Sequence, residues 1–382
     1  MRWHALDRGG PSLKDKLLQI RWLFVLALCA TAGVGVAMLY SAAGGSMEPW
    51  AIRQLVRFLV ALGILLVVAV SDIRLWLRLA YPIYFVALVL LVIVDFAGFI
   101  GMGAQRWIDL GIINLQPSEV MKVALVLALA RYFHGLASED VGRPWRLIVP
   151  ALMVLAPVAL VLKQPDLGTA MMLLIGGAAL FFTAGVRLWM FAVVGAAGLA
   201  ALPLAWQMLH DYQRRRVLTF LDPETDPLGS GYHILQSKIA LGSGGVFGKG
   251  YLQGTQSHLN FLPEKQTDFI FTMLAEEFGL LGSLGMLTLY VIILAYCLAI
   301  ALSAKSQFGR LLAIGITVTF FLYVFINMAM VMGLIPVVGI PLPLVSYGGT
   351  AIVSLMLGFG LVMCVYVHRD VMISRHSTGE EL

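Results

Sequence analysis

Residues 261–282 read F-L-P-E-K-Q-T-D-F-I-F-T-M-L-A-E-E-F-G-L-L-G, and here more than fifty mostly polar residues give way to an apolar run. The run continues to about residue 300, well past the roughly 20 apolar residues that a membrane-crossing helix needs. Three carboxylates, Asp268, Glu276 and Glu277, stand in its first turns. A charge held at the bilayer centre costs about 2.5–3.5 kcal/mol even on a lenient insertion scale, so such acids are expected to have a function. Asp268 falls at the water-facing edge of the run and reads as the chemical centre. Glu276 and Glu277 follow 8 and 9 residues later, where hydrogen bonding between helices is the expected role.

Outward from that stretch, the whole chain has the same character. Of 382 residues 60% are hydrophobic and 12% charged, with mean hydropathy +0.90. A soluble domain carries about 25% charged residues. The unbroken apolar runs exclude a β-barrel, whose strands alternate. The fold class is therefore an all-α polytopic membrane protein. Ten transmembrane helices fit, at roughly 21–42, 53–71, 77–98, 117–134, 146–163, 167–185, 188–208, 267–300, 309–333 and 347–368. The first run follows some twenty mixed residues with no small-residue cleavage site, so it reads as an uncleaved span.

Charge sets the orientation. With an even number of spans both termini share a side, and that side holds fifteen Lys and Arg against eleven on the other, six of which lie in the long segment 210–265. Basic residues gather on the cytoplasmic side, so residues 1–20 and the tail 369–382 are expected in the cytoplasm. Residues 21–368 form the membrane domain, with 210–265 as a large extracytoplasmic loop between helices 7 and 8. The net charge of +5 thus reflects topology and does not point to nucleic acid. Cys29, Cys297 and Cys364 all lie in apolar runs, and the seven histidines show no H-x-H or H-x-x-x-H spacing, which excludes a disulfide framework and disfavours structural zinc. No G-x-x-x-x-G-K-[ST] loop is present, so ATP is not an expected energy source.

Other polar features collect on the same outer side as Asp268. Gln116-Pro117-Ser118-Glu119 and Gln164-Pro165-Asp166 each open a span. Proline at the first helical position and an acid in the first turn are ordinary helix-start chemistry. Glu119 and Lys122 go further, because residues three apart share a helical face. They suggest either an inward-facing polar site or a buried pair joining helices. The glycines at 242, 244, 245, 248, 250 and 254 suit close backbone approach, as for a surface that wraps a phosphate or sugar; a plain outer loop is the simpler alternative. The stretch G-L-I-P-V-V-G-I-P-L-P-L-V-S-Y-G-G-T (333–350) is apolar yet too rich in proline and glycine to form a helix. Irregular backbone at membrane depth must be buried in protein or line a cavity, so a re-entrant loop is expected.

Five motifs, in order, resemble the SEDS family (shape, elongation, division and sporulation): G-A-Q-R-W-I-D-L-G (103–111), Q-P-S-E-x-x-K (116–122), Q-P-D-L-G-T-A (164–170), G-T-Q-S-H-L-N-F-L-P-E-K-Q-T-D-F-I-F (254–271) and P-L-V-S-Y-G-G-T (343–350). The resemblance covers almost the whole chain and is closer to the RodA branch than to FtsW. It implies an inverting peptidoglycan glycosyltransferase that polymerises lipid II into β-1,4-linked glycan during elongation. It also implies a class B penicillin-binding protein as partner, with MreC and MreD, in the bacterial inner membrane. The family's catalytic aspartate falls on Asp268. Around it, Arg106, Glu119, Lys122, Asp166, Arg215, Lys238, Lys249 and Ser346 are the candidate substrate contacts, the cations among them to meet the leaving diphosphate. Mg²⁺ or Mn²⁺ held by outer carboxylates is an alternative source of positive charge. The competing functions are a lipid II flippase with Glu119, Lys122 and Asp166 as an ion relay, and a scaffold for the penicillin-binding protein.

Overall fold

The computed structural model describes residues 12–101, 104–109, 111, 114–137, 139–208, 214, 218–222, 230–255 and 264–374. A short helix α1 (Leu13–Gln19) is started by a capping box in which Ser12 and Asp15 satisfy each other's backbone N–H groups. Then come α2 (Trp22–Ala42), α3 (Ala51–Val70) and α4 (Ile73–Ala97), the last capped by Asp72. Three short strands follow, β1 (Phe99–Gly101), β2 (Ala104–Asp109) and β3 (Asn114–Leu115), paired antiparallel in that order. They are a feature that the apolar patterning does not announce. The rest is helical: α5 (Pro117–Gly135), α6 (Ile148–Lys163), α7 (Leu167–Ala184), α8 (Leu188–Met208), α9 (Ser230–Ser243), α10 (Ile270–Ser303), α11 (Gln307–Val331) and α12 (Gly349–Val367).

Among the described residues eight helices are long and apolar enough to cross a membrane: α2, α3, α4, α6 with its preceding 3₁₀ turn, α7, α10, α11 and α12. This is a multi-pass helical membrane protein. The other two predicted spans coincide with α5, which carries Glu119, Lys122 and Arg131, and with α8, whose apolar part is Leu188–Ala201.

α11 and α12 form the centre, with 78% of the residues buried in the most apolar 18-residue stretch of each. α11 packs against α5, α7, α10 and α12, and α12 lies along α3. Phe24, Tyr290, Phe320 and Phe359 interlock edge to face between them, with ring centroids 5.1–5.7 Å apart for the three closest pairs, a preferred aromatic geometry. By contrast α8 stands off the bundle. Nearly all its described residues are exposed, and it touches α7 where the ring of Phe191 meets that of Phe182 at 6.2 Å.

Two irregular segments shape the end of the bundle that carries Asp268. The first is a break inside α10 at Gly279 (φ 65°, ψ −156°). In an unbroken helix Leu280 and Leu281 would donate to the carbonyls of Glu276 and Glu277. They donate instead to Gly245 O and Val246 O at 2.9 and 3.2 Å, and the vacated carbonyls accept from the N–H groups of Lys249 and Gly250, both at 3.0 Å. Segment 245–250 is thus stitched into the helix as a second strand of backbone. Gly248 (φ 80°) makes this possible, since a Cβ there would sit 2.1 Å from Glu277 O. The expected phosphate- or sugar-wrapping surface is therefore not what Gly244 and Gly248 provide: both close onto α10 main chain. The second segment is 333–348, which is non-helical and buried at Ile340, Leu342, Leu344, Val345 and Ser346. This is how backbone without a helix persists at membrane depth.

Candidate active site

Asp268 is half-buried in the turn 264–269 that leads into α10. Within the turn the N–H of Thr267 donates to Glu264 O at 3.0 Å and its hydroxyl donates to Glu264 Oε2 at 3.0 Å. Three consecutive carbonyls of the turn are then held from outside it. Gln266 O accepts from Tyr347 N–H at 2.8 Å, Thr267 O from Ser346 Oγ at 2.5 Å, and Asp268 O from Asn327 Nδ2 at 2.9 Å. The Asp268 carboxylate faces the 333–348 loop, because a Cβ on Gly339 would lie 3.3 Å from its Oδ2. Burial in the same turn pushes the Lys265 ammonium below its ordinary pKa.

The loop that grips Asp268 is itself held on every side. Ser346 Oγ also accepts from Leu342 N–H at 2.7 Å, and Ser346 O accepts from Gln54 of α3 at 2.8 Å. Tyr290 of α10 donates to Pro343 O at 2.8 Å, and Asn327 of α11 to Ile340 O at 2.7 Å. Gly35 lets α2 press directly on the main chain of Leu344 and Val345. Arg57 of α3 lies over the Tyr347 ring, 4.8 Å from its centroid, a cation–π contact. Ser346, known from sequence only as a motif residue, is thus a junction between the loop and the Asp268 turn. Arg57 and Asn327 were not read as site residues from the sequence: Arg57 lies with Arg53 and Gln54 in the polar start of α3, whose partner is distant in the chain, and Asn327 is a lone amide in an apolar stretch of α11.

Asp166 and Arg106 meet at the other side of this loop. Asp166 caps α7, accepting from Thr169 N–H at 3.1 Å and Thr169 Oγ1 at 2.9 Å. Arg106 of β2 lies 3.8 Å from Asp166 Oδ2 and donates to the carbonyls of Gln164 and Pro165 at 3.2 and 2.5 Å. Its donors therefore fix the turn before α7. Two residues on, Gly168 packs against Val338 and Ile340, the neighbours of Gly339.

Glu119 and Lys122 form a buried ion pair at 2.7 Å, and Tyr323 of α11 closes the group: its hydroxyl donates to Glu119 Oε2 and accepts from Lys122. The ammonium also sits 4.2 Å from the centroid of that ring. A small cavity beside them is lined by Thr319 and Ser354, and a second is lined by Tyr323 together with Pro341, Leu342 and Ser346 of the loop.

The remaining candidates lie elsewhere. Lys249 pairs with the fully buried Glu276 at 2.7 Å, and Thr255 donates to the same oxygen from its N–H at 2.8 Å and hydroxyl at 3.0 Å. Glu276 therefore holds a loop, whereas Glu277 accepts from Ser41 of α2 at 2.5 Å, a bond between helices. Lys238 is exposed on α9 and packs over Gly333, at the start of the loop. Arg215 lies outside the described residues. Among the described residues no three of His, Cys, Asp and Glu gather to hold a metal ion.

The model of the FtsW/RodA/SpoVE family, described as cell cycle proteins, matches residues 21–371. The chain belongs to this family. It is 45% identical over 354 residues to the peptidoglycan glycosyltransferase MrdB of Escherichia coli (strain K12), covering 91% of this chain and 94% of that one. Among solved structures it resembles a chain from work on the coordination of polymerization and crosslinking by a peptidoglycan synthase complex, at TM-score 0.77 and 35% identity over 92% of this chain and 98% of that one. It also resembles the rod shape determining protein RodA of Thermus thermophilus, at TM-score 0.66 and 31% identity over 92% and 97% of the two chains.

Proposed function

We infer that this chain is a peptidoglycan glycosyltransferase that polymerises lipid II, with Asp268 as general base. The supporting observation is the hold on Asp268: three successive carbonyls of its turn are hydrogen-bonded from outside while its carboxylate stands at the wall of a buried loop. Such fixing is what acid–base catalysis needs, because the base must be kept within hydrogen-bond reach of the proton it takes. The carboxylate accepts the proton of the acceptor sugar's 4-hydroxyl as that oxygen attacks the anomeric carbon of the donor. Undecaprenyl pyrophosphate leaves from the opposite face, so the anomeric carbon inverts. A covalent glycosyl-enzyme would retain configuration.

The leaving diphosphate requires positive charge, and arginine and lysine supply it as a fork or as a point charge. Arg106, Lys122 and Lys249 are already engaged. Lys238 and Arg57, each beside the 333–348 loop and without an ion-pair partner among the described residues, are the cations assigned to it. Glu119, Asp166 and Ser346 shape the polar surface around the sugars. The exposed apolar face of α8 suits the polyprenyl chain.

The full topology proposed is ten spans, with α5 and α8 joining the eight, both termini in the cytoplasm, and Asp268 facing outward. A class B penicillin-binding protein crosslinks the product, as expected for a relative of a synthase-complex subunit; MreC and MreD follow from the RodA-type motifs. The test uses purified protein with its transpeptidase partner and labelled lipid II in detergent. Wild type makes polymer, and Asp268→Asn slows it by about 10²–10⁴-fold. Polymer at full rate from Asp268→Asn overturns the base assignment, and transport without polymer favours a flippase.

A further inference from the structure

Asn327 stands in an apolar stretch of α11, one turn beyond Tyr323, so the two side chains leave the helix on the same face. It is fully buried. Its Nδ2 uses both hydrogens, one on Asp268 O at 2.9 Å and one on Ile340 O at 2.7 Å. A flipped amide would set Oδ1 against two carbonyl oxygens, so the bonds fix its orientation. Oδ1 itself meets no donor among the described residues. An unsatisfied buried polar atom carries the desolvation penalty of that group, which an apolar side chain in the same helix would avoid. The amide is explained by what its nitrogen holds.

What it holds is specific. One bond goes to the main chain of the proposed base. The other goes to the residue next to Gly339, the wall that the carboxylate faces. With Ser346 Oγ and the Tyr347 N–H holding the neighbouring carbonyls of the turn, Asn327 is the tie that reaches Asp268 itself, and it joins that residue to the wall through one buried side chain.

We propose that Asn327 is a positioning residue for glycosyl transfer, acting through Asp268 to aim its carboxylate at the acceptor hydroxyl. This rests on the assignment of Asp268 as the base. Misplacement of a reacting group by about 1 Å can cost on the order of 10²-fold in rate, so the effect should appear in turnover and not in affinity. Aspartate at 327 has nearly the same shape but presents oxygen to both carbonyls, and serine is too short to reach both.

The experiment takes full-length Asn327→Asp and Asn327→Ser with the transpeptidase partner, and measures polymerisation against lipid II concentration alongside thermal unfolding in detergent. The expected result is a kcat lower by about 10- to 100-fold with KM within about twofold, in protein that is folded at the assay temperature. The double variant Asp268→Asn with Asn327→Ser should be no slower than Asp268→Asn alone, because the clamp has nothing left to aim. Full turnover in both Asn327 variants, or a rise in KM at constant kcat, overturns the proposal. Unfolding of both variants below the assay temperature does so too, since the role is then structural. If Asp268→Asn itself polymerises at full rate, it is the base assignment that fails, and that arm is read separately.

Discussion

Lys122–Glu119 and Lys305–Asp370 are ion pairs of nearly equal length, 2.7 and 2.6 Å, in opposite surroundings. The side chains of the first pair are each 4% exposed, whereas those of the second are 56% and 68% exposed. The first lies on the Asp268 side of the bundle and shares its charge with Tyr323; the second lies at the far ends of α10 and α12. Equal geometry therefore carries unequal energy. Removing one partner of a buried pair strands a charge at about 3–5 kcal/mol, while exposed pairs are screened by solvent and salt. Buried charge collects where the chain also gives up regular helix, in 333–348 and at the α10 break. The far end is built from capped helices and exposed pairs.

The sharpest break of this comparison is Lys122→Met. It leaves Glu119 buried beside Tyr323 and should lower stability by about 3–5 kcal/mol, read as a large fall in the thermal midpoint in detergent. Adding Glu119→Leu removes the stranded charge and should restore most of the midpoint. Polymerisation should stay low in the double variant, because the polar surface beside the loop is gone. A double variant that recovers both would make the triad a structural tie alone.

A smaller effect is expected at the stitched segment. Gly248→Ala forces a Cβ to within 2.1 Å of Glu277 O at φ 80°, so backbone must shift, at about 1–3 kcal/mol or more. Gly33→Ala in α2 is the control: a Cβ there meets nothing within 4 Å, and alanine in a helix is favoured by about 0.5–1 kcal/mol. Thermal midpoints that fall equally for the two would mean that segment 245–250 is not docked on α10 as described.

The apolar runs made the spans legible, because burial in lipid is a property of composition along the chain. The loop 333–350 was legible for the same reason in reverse: proline and glycine deny it a helix while its apolar side chains deny it water. Asp268 was visible as an acid at the rim. What stayed hidden depends on partners distant in sequence. The run 267–300 reads as one continuous span, and nothing local shows that it breaks at Gly279, because the backbone that replaces its hydrogen bonds comes from residues 245–250. Asn327 sits in a helix that is apolar nearly all round, which hides the face that turns to the loop, whereas Gln54 and Arg57 share the polar start of α3 with Arg53 and nothing local shows what that start meets. Glu276 illustrates both sides: its burial was legible, and its partners Lys249 and Thr255 were not.

The mildest change is Asp370→Asn. The hydrogen bond and charge of Lys305 hold the Asp370 carboxyl below its ordinary range, so the folded-state pKa is depressed relative to the unfolded value of about 3.9. A depressed carboxylate contributes stability that is fully present above the unfolded pKa and is lost as pH falls through the folded one. Between about pH 5 and 8 the contribution is therefore constant, and at a fully solvated site it is small and weakened by salt. Wild type and Asp370→Asn should differ in thermal midpoint by only a small, pH-independent amount across that range in moderate salt. That small difference should disappear as pH falls from the unfolded pKa of about 3.9 through the lower folded one, where the carboxylate is protonated first in the unfolded chain and then in the folded one. A midpoint drop as large as that of Lys122→Met would mean that burial is not what separates the two ends of the bundle.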